Sequence, residues 1–252
     1  MRNIKLIIQY DGAAFHGFQQ QPNGDTVEAQ LKAAVSRILG EQVVIYGCSR
    51  TDAGVHANAF CCNFHTQSDR PCSLLQRGLN AVLPPQIAVL SCEEVSLSFH
   101  ARYDCKGKEY IYRIWNGQTR NPFLLDRALF YPQKLDVPML HAQAAQFVGT
   151  HDFAAFCASG ASVKTTERTI YQSKLERDGD LVTFTVCGNG FLYNMVRIMV
   201  GTLLDIQRGK LEPDSIPAIL QSRSRERAGV TAPGEGLFLN RVFYQEGGWR
   251  HG

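Results

Sequence analysis

Residues 170–187, IYQSKLERDGDLVTFTVC, form two strand-like runs placed back to back around Asp178-Gly179. Asp-Gly between such runs is the strongest short-range signal for a hairpin with a type I′ turn. Moving outward, Lys108 to Trp115 alternates as a strand, with Tyr110, Tyr112 and Ile114 on one side. A helix over Val137 to Val148 buries Leu140, Ala144, Phe147 and Val148 and stops at Gly149. Beyond the hairpin, Phe191 to Gln207 reads as a helix, a shorter one follows Pro213, and Leu237 to Tyr244 reads as a strand. The order is β-α-β-β-α-β.

The preceding residues repeat that order. Ile4 to Tyr10 alternates as a half-buried strand. Asp25 and Glu28 have capping-box spacing, and the helix behind them turns Val27, Leu31, Ala34, Val35, Ile38 and Leu39 to one face before Gly40. Gln42 to Cys48 and Ala59 to His65 read as strands, Ser73 with Gln76 opens a helix that ends before Pro84-Pro85, and Ile87 to Val95 is extended. The expected class is α+β, built from two ferredoxin-like halves, 1–100 and 101–252.

The halves differ at one connection. The second joins its middle strands by the short Asp-Gly turn, whereas the first uses SRTDAGVHA, residues 49–57. Asp52 beside a glycine is ordinary turn chemistry, yet folding needs only the short version. Loops on rigid scaffolds carry binding and catalysis, so Asp52 is a candidate acid.

Length and composition bound the rest. The chain has 252 residues, 44% hydrophobic and 19% charged, with a net charge of +3. The N-terminus runs straight into a strand pattern without a signal-peptide core, and the run from Phe191 to Ile206 contains Arg197 and Asp205. These features lead to the expectation of a cytoplasmic protein with no membrane span. Eight cysteines without a CxxC pair argue against zinc and against disulfides. From His100 to Arg127 six Lys/Arg face three acids, an excess equal to the net charge of the chain. Such a surface suits phosphate and equally describes a solvated strand.

The helix over 191–207 is apolar almost all round and should be buried, although Gly190, Asn194, Arg197 and Gly201 form a small or polar stripe along it. A buried guanidinium keeps its proton and requires an anion, and Asp52 is the chosen partner; a structural pair with another acid is the alternative. Gly188-Asn189-Gly190 has the start of a dinucleotide fingerprint, but Tyr193 stands where the third glycine belongs. Tyr110 and Tyr112 within the basic stretch could stack a base or simply pack in a half-buried strand. Arg168, after the Ser/Thr/Lys-rich loop 159–166, faces phosphate or solvent, and Phe15-His16 is read as loop.

Taken together, several segments resemble the tRNA pseudouridine synthase A (TruA) family: SRTDAGVHA at 49–57, YDG then FHGFQ within 10–19, FHAR at 99–102 and KEYIY at 108–112. GTHDF at 149–153, NMVRIMVG at 194–201 and EGLFL at 235–239 continue it in order. The resemblance implies an isomerase that converts uridine to pseudouridine at positions 38, 39 and 40 of the tRNA anticodon stem-loop, with Asp52 as nucleophile on a flipped-out base. It implies Arg197 as the partner of Asp52 and Tyr110 as a tyrosine against the uracil. Leu237 would line the pocket and Arg50 would splay the target, while His56, Phe15, Gln19, Arg102 and Arg168 would contact substrate. It further implies a continuous, mostly antiparallel sheet with helices on the outer face, a central basic cleft, and a homodimer whose tRNA touches both subunits. No metal or organic cofactor is implied. Cys48-Ser49 stands where Ala-Gly is common and Gln20 where a cation is frequent, so one RNA contact is expected to differ. A silent RNA-binding module and a carboxylate-dependent nucleoside hydrolase remain as alternatives.

Overall fold

A computed structural model of the chain describes residues 1–22, 24–160 and 164–251. Among these are ten β-strands and five α-helices, and the chain divides into two compact units. The first comprises Met1–Lys106 with Phe238–Gly248; the second comprises Gly107–Leu237 with Trp249–Gly252. The class is α+β, and antiparallel pairing predominates.

In the first unit, β1 (Arg2–Tyr10) lies between β3 (His56–Thr66) and β4 (Ile87–Val95), antiparallel to both. The short β2 (Tyr46–Gly47) pairs with β3, giving the 4-1-3-2 order of a ferredoxin-like sheet. Directly opposed residues share a face, so Ile4, Leu6 and Ile8 meet Phe64, Cys62 and Phe60 in one fully buried row. Helix α1 (Val27–Leu39) adds Val27, Leu31 and Val35 to the core, and α2 (Cys72–Val82) adds Leu75 and Leu79.

Local chemistry differs from expectation at three places here. The N-cap of α1 is Thr26, whose hydroxyl accepts from Ala29 N–H, and Glu28 instead accepts from the backbone of Gln20. Of the strand expected over 42–48 only Tyr46–Gly47 is formed, with Cys48 N–H adding one bond to the Cys61 carbonyl at 2.9 Å. Helix α2 begins one residue earlier, after Pro71, with no side-chain cap.

In the second unit, β5 (Gly107–Trp115), β9 (Leu181–Gly188), β8 (Glu167–Asp178) and β7 (Gly149–Asp152) follow one another across the sheet. The short β6 (Leu129–Phe130) runs parallel to the end of β5. The hairpin is present with its register moved by one: Asp178 pairs with Leu181, so the turn is Gly179-Asp180. Only Gly179 has positive φ, +56°, which fits a turn of type II′ and excludes I′, where both central residues need it. Helix α3 (Val137–Ala145) ends before Gln146, Val148 is exposed, and Gly149 opens β7.

Helix α4 (Met195–Gln207) starts later than Phe191 because Asn194 takes a left-handed conformation, φ 59°, at its N-cap. Eleven of its thirteen residues are buried, all but Arg197 and Gln207, which makes it the central helix of this unit. Helix α5 (Ile216–Ser222) follows. The last strand, β10 (Leu237–Phe243), runs parallel to the start of β3, with Phe238 beside His56 and Leu239 beside Ala57.

Candidate active site

In the first unit the Asp52 loop is a rigid object. A Val55 N–H to Asp52 C=O bond of 3.2 Å closes a turn over Asp52–Val55, with Gly54 at φ +76°. The residues after β1 pack against it. Phe18 N–H donates to the Thr51 carbonyl at 3.1 Å, and Thr51 Oγ1 lies 2.7 Å from the Tyr10 hydroxyl. Gly17, at φ +90°, sits where a Cβ would stand 2.6 Å from the Thr51 carbonyl oxygen. A Cβ on Gly12 would run into the carbonyl of Val55. Both glycines therefore allow backbone to approach backbone, and the Asp52 side chain projects half-buried from a loop that cannot readily shift.

His56 is the first residue of β3 and only 1% exposed. Its ring stacks on Phe238 at 4.4 Å, and its Nδ1 accepts from Gly12 N–H at 3.0 Å. A donor aimed at Nδ1 calls for a lone pair there, so Asp11 Oδ1 at 3.1 Å is a close neighbour and not a salt-bridge partner through that nitrogen. This histidine braces the loop. Phe15 is buried as well, and Phe18 stacks on Phe60 at 4.2 Å. Arg50, Gln19 and Arg102 are exposed. Beside Gln20, where a cation was expected to be missing, Lys32 Nζ donates to Gln20 Oε1 at 3.0 Å and so brings one.

In the second unit the stripe along α4 is a seat for the chain segment 228–233. Gly201 lies under the Val230 carbonyl so closely that a Cβ could not fit, and Gly229 packs on Thr202. Thr202 Oγ1 accepts from Gly229 N–H at 2.9 Å, and the buried Asp205 accepts from Val230 N–H at 3.1 Å. Arg197 is half-exposed, contrary to the expectation of a buried guanidinium, because it lies at the rim of this seat. Its Nε donates to the Ala232 carbonyl at 2.7 Å and its Nη1 to Asn194 Oδ1 at 2.8 Å. Backbone and amide partners thus fix the plane of the guanidinium.

The same segment continues to β5. The Tyr112 hydroxyl donates to the Pro233 carbonyl at 2.8 Å, and Gly236 packs against the Tyr112 ring. Burial pushes the Tyr112 phenol up, as does Glu235, while Arg197 opposes them. Glu235 is itself pushed up by burial and by Asp126. Leu237 ends the segment, 6% exposed. Tyr110, two residues before Tyr112 on β5, is also 6% exposed and meets Phe191 edge-on at 5.0 Å. Arg168, half-buried on β8, donates to the carbonyl of Thr165 at 2.9 Å, and burial lowers its pKa. Residues 161–163 of the loop before it lie outside the described residues.

Sequence reasoning placed Asn194 and Gly201 on the stripe but missed Thr51, Asp205 and the 228–233 segment that the stripe seats. The small residues Gly201 and Gly229 were the available signal, since close backbone approach is what glycine permits. Among the described residues no group of three or more His, Cys, Asp or Glu side chains could hold a metal ion. Among the described residues no helix is long and apolar enough to cross a membrane.

A family model described as tRNA pseudouridine synthase matches residues 6–104 and 143–245. Strand β5 with Tyr110 falls between the two stretches. The protein named tRNA pseudouridine synthase A from Acetivibrio thermocellus is 48% identical over 244 residues, covering 97% of this chain and 100% of that one. Proteins of the same name from Clostridium kluyveri and Geotalea daltonii are 43% and 44% identical, at the same coverage of both chains. With four-fifths of its length inside the family model and these relatives aligned almost end to end, the chain belongs to the tRNA pseudouridine synthase family.

Proposed function

We propose that this tRNA-modifying isomerase acts on uridines 38, 39 and 40 of the anticodon stem-loop, with Asp52 as its nucleophile. The observation that carries the assignment is the Asp52 turn: a half-exposed carboxylate on a loop locked by Tyr10, Phe18 and Gly17, within the family's signature residues. In the reaction the bond from C1′ to N1 of the uracil breaks and a bond from C1′ to C5 forms, the C5 hydrogen leaving as a proton and N1 taking one up. An ionised aspartate can attack the base or the sugar, dividing this exchange into easier steps. A base within a stem must first be everted, so the site needs stacking surface and groups that hold the uracil edge.

The remaining roles are assigned on the family resemblance. Arg197 pairs with Asp52 and keeps it ionised, Tyr110 lies against the uracil, and Leu237 lines the pocket. Arg50 helps evert the base, and Arg102, Arg168, Gln19, Phe15 and His56 contribute to tRNA binding. The very small exposure of Phe15 and His56 supports a bracing role for these two over direct contact. The working unit is a cytoplasmic homodimer with tRNA touching both subunits, and the reaction uses no cofactor.

The test is tritium release from tRNA labelled at uridine C5, using transcripts that carry uridine at one of the three positions. The parent should release tritium from each transcript, and Asp52→Asn should release none while still binding. Lack of release by the parent would favour a silent RNA-binding module, and free uracil as product would favour a hydrolase.

A further inference from the structure

The edge of the first unit, where α2 lies along β4, carries a cluster that the proposed reaction does not use. Asn80 clamps Val89, donating to its carbonyl at 2.9 Å and accepting from its N–H at 2.7 Å. One turn earlier, Gln76 Nε2 donates to the Leu90 carbonyl at 2.8 Å. One turn earlier again stands Cys72, the first residue of the helix. Four helical residues advance about 6 Å, close to the roughly 6.6 Å spanned by two strand residues. The row therefore carries Cys72 to Cys92.

The ladder agrees on the face. Cys92 opposes Leu6 and Val89 opposes Ile8, both fully buried on the helix-covered side, and the register shift between Ile7 and Ile8 turns both β4 residues that way. Burial first, then the neighbouring Cys72, pushes the Cys92 thiol up to about 12. Arg2 sits over the pair. Its Nη2 donates to Cys72 Sγ at 3.8 Å, its Nη1 holds the Ser68 and Arg70 carbonyls at 3.1 and 3.0 Å, and its Nε holds Glu94 at 2.8 Å. Both cysteines are reduced and half-buried, within reach of a small oxidant.

We propose that Cys72 and Cys92 form a peroxide-sensitive dithiol site that closes reversibly to a disulfide joining α2 to β4. The Cys72 sulfur, which lies against the Arg2 guanidinium, gives up its proton and attacks the distal oxygen of a hydroperoxide. The O–O bond breaks, Cys72 becomes a sulfenic acid, and the departing oxygen leaves as an alcohol or, from hydrogen peroxide, as water. The Cys92 sulfur then attacks the Cys72 sulfur, its proton goes to the departing hydroxyl, and water leaves. Two thiols are oxidised by two electrons, and the peroxide takes them up. Cys92, kept protonated by its surroundings, is the resolving partner.

The experiment treats the full-length protein with hydrogen peroxide and maps its peptides without reduction. A linked pair of peptides containing Cys72 and Cys92, released by dithiothreitol, is the expected product. It should vanish in Cys72→Ser and in Cys92→Ser and persist in Cys157→Ser. Separately, Arg2→Gln should slow alkylation of Cys72 by iodoacetamide several-fold in a protein whose circular dichroism is unchanged. Preferred linkage of another pair, or oxidation of Cys72 to sulfinic acid while Cys92 stays reduced, would overturn the proposal. An Arg2→Gln variant that alkylates as fast as the parent would remove Arg2 from it.

Discussion

Arg197 and Ala232 hold each other twice. The arginine Nε donates to the Ala232 carbonyl at 2.7 Å, and Ala232 N–H donates back to the Arg197 carbonyl at 3.1 Å. One residue of α4 thus anchors the segment 228–233 by both its backbone and its side chain, and the guanidinium's direction depends on where that segment lies. The segment lies where it does because α4 presents glycine, threonine and aspartate along one stripe.

Gly201→Ala tests that dependence. A methyl group here meets the Val230 carbonyl, which is backbone and cannot swing aside. Overpacking of this kind costs about 1–3 kcal/mol, and the upper end is expected. Urea unfolding should show the loss, and tRNA turnover should fall more than tRNA affinity as the Arg197 anchor moves.

Tyr112→Phe removes the 2.8 Å bond to the Pro233 carbonyl and leaves the ring packed. A loss of about 1 kcal/mol is expected, measured by the same unfolding. Turnover should drop several-fold, because Leu237 follows Pro233 on the same stretch of chain.

Gly17→Ala should injure the Asp52 loop from below. The backbone is at φ +90°, and the added carbon would stand 2.6 Å from the Thr51 carbonyl oxygen. A non-glycine residue in such a conformation costs about 1–3 kcal/mol. Tritium release should fall by more than tenfold while the variant remains folded by circular dichroism.

Asp152 provides a pH test. The Thr166 hydroxyl, 2.6 Å away, holds its carboxyl below the usual range; burial opposes this, and Ala154 N–H and Arg223 add to the lowering. A carboxyl lowered in the folded state stabilises above its unfolded pKa of about 4 and loses that contribution as pH falls through the lowered value. Thr166→Val should therefore be less stable than the parent at neutral pH. The gap should close as the pH falls below about 4, measured by thermal unfolding across the acid range.

Much of this fold is legible from residue order. Ile4, Leu6 and Ile8 announce a half-buried strand, β4 runs over the very residues its pattern marks, and Gly40 ends α1 in a left-handed conformation. Boundaries shift where neighbouring residues offer the same chemistry: Asp25 and Thr26 can both cap, and the chain uses the threonine. Strand β7 was invisible because Gly149–Asp152 is short and polar. The parallel pairing of Phe238 with His56 could not be read either, since alternation names a face but not a neighbour. At the site, the motif singled out Asp52, yet its supports, Thr51, Gly12 and Gly17, depend on contacts between segments far apart in sequence.

The polypeptide visits its first unit twice, leaving at Lys106 and returning from Phe238 to Gly248. A gene cut after codon 106 would encode β1 to β4 without the ring that covers His56. That fragment should expose an apolar flank and precipitate, and adding back a peptide of residues 238–248 should restore its solubility. The signature loop and the far end of the chain thus form one unit, so damage to either should be felt by the other.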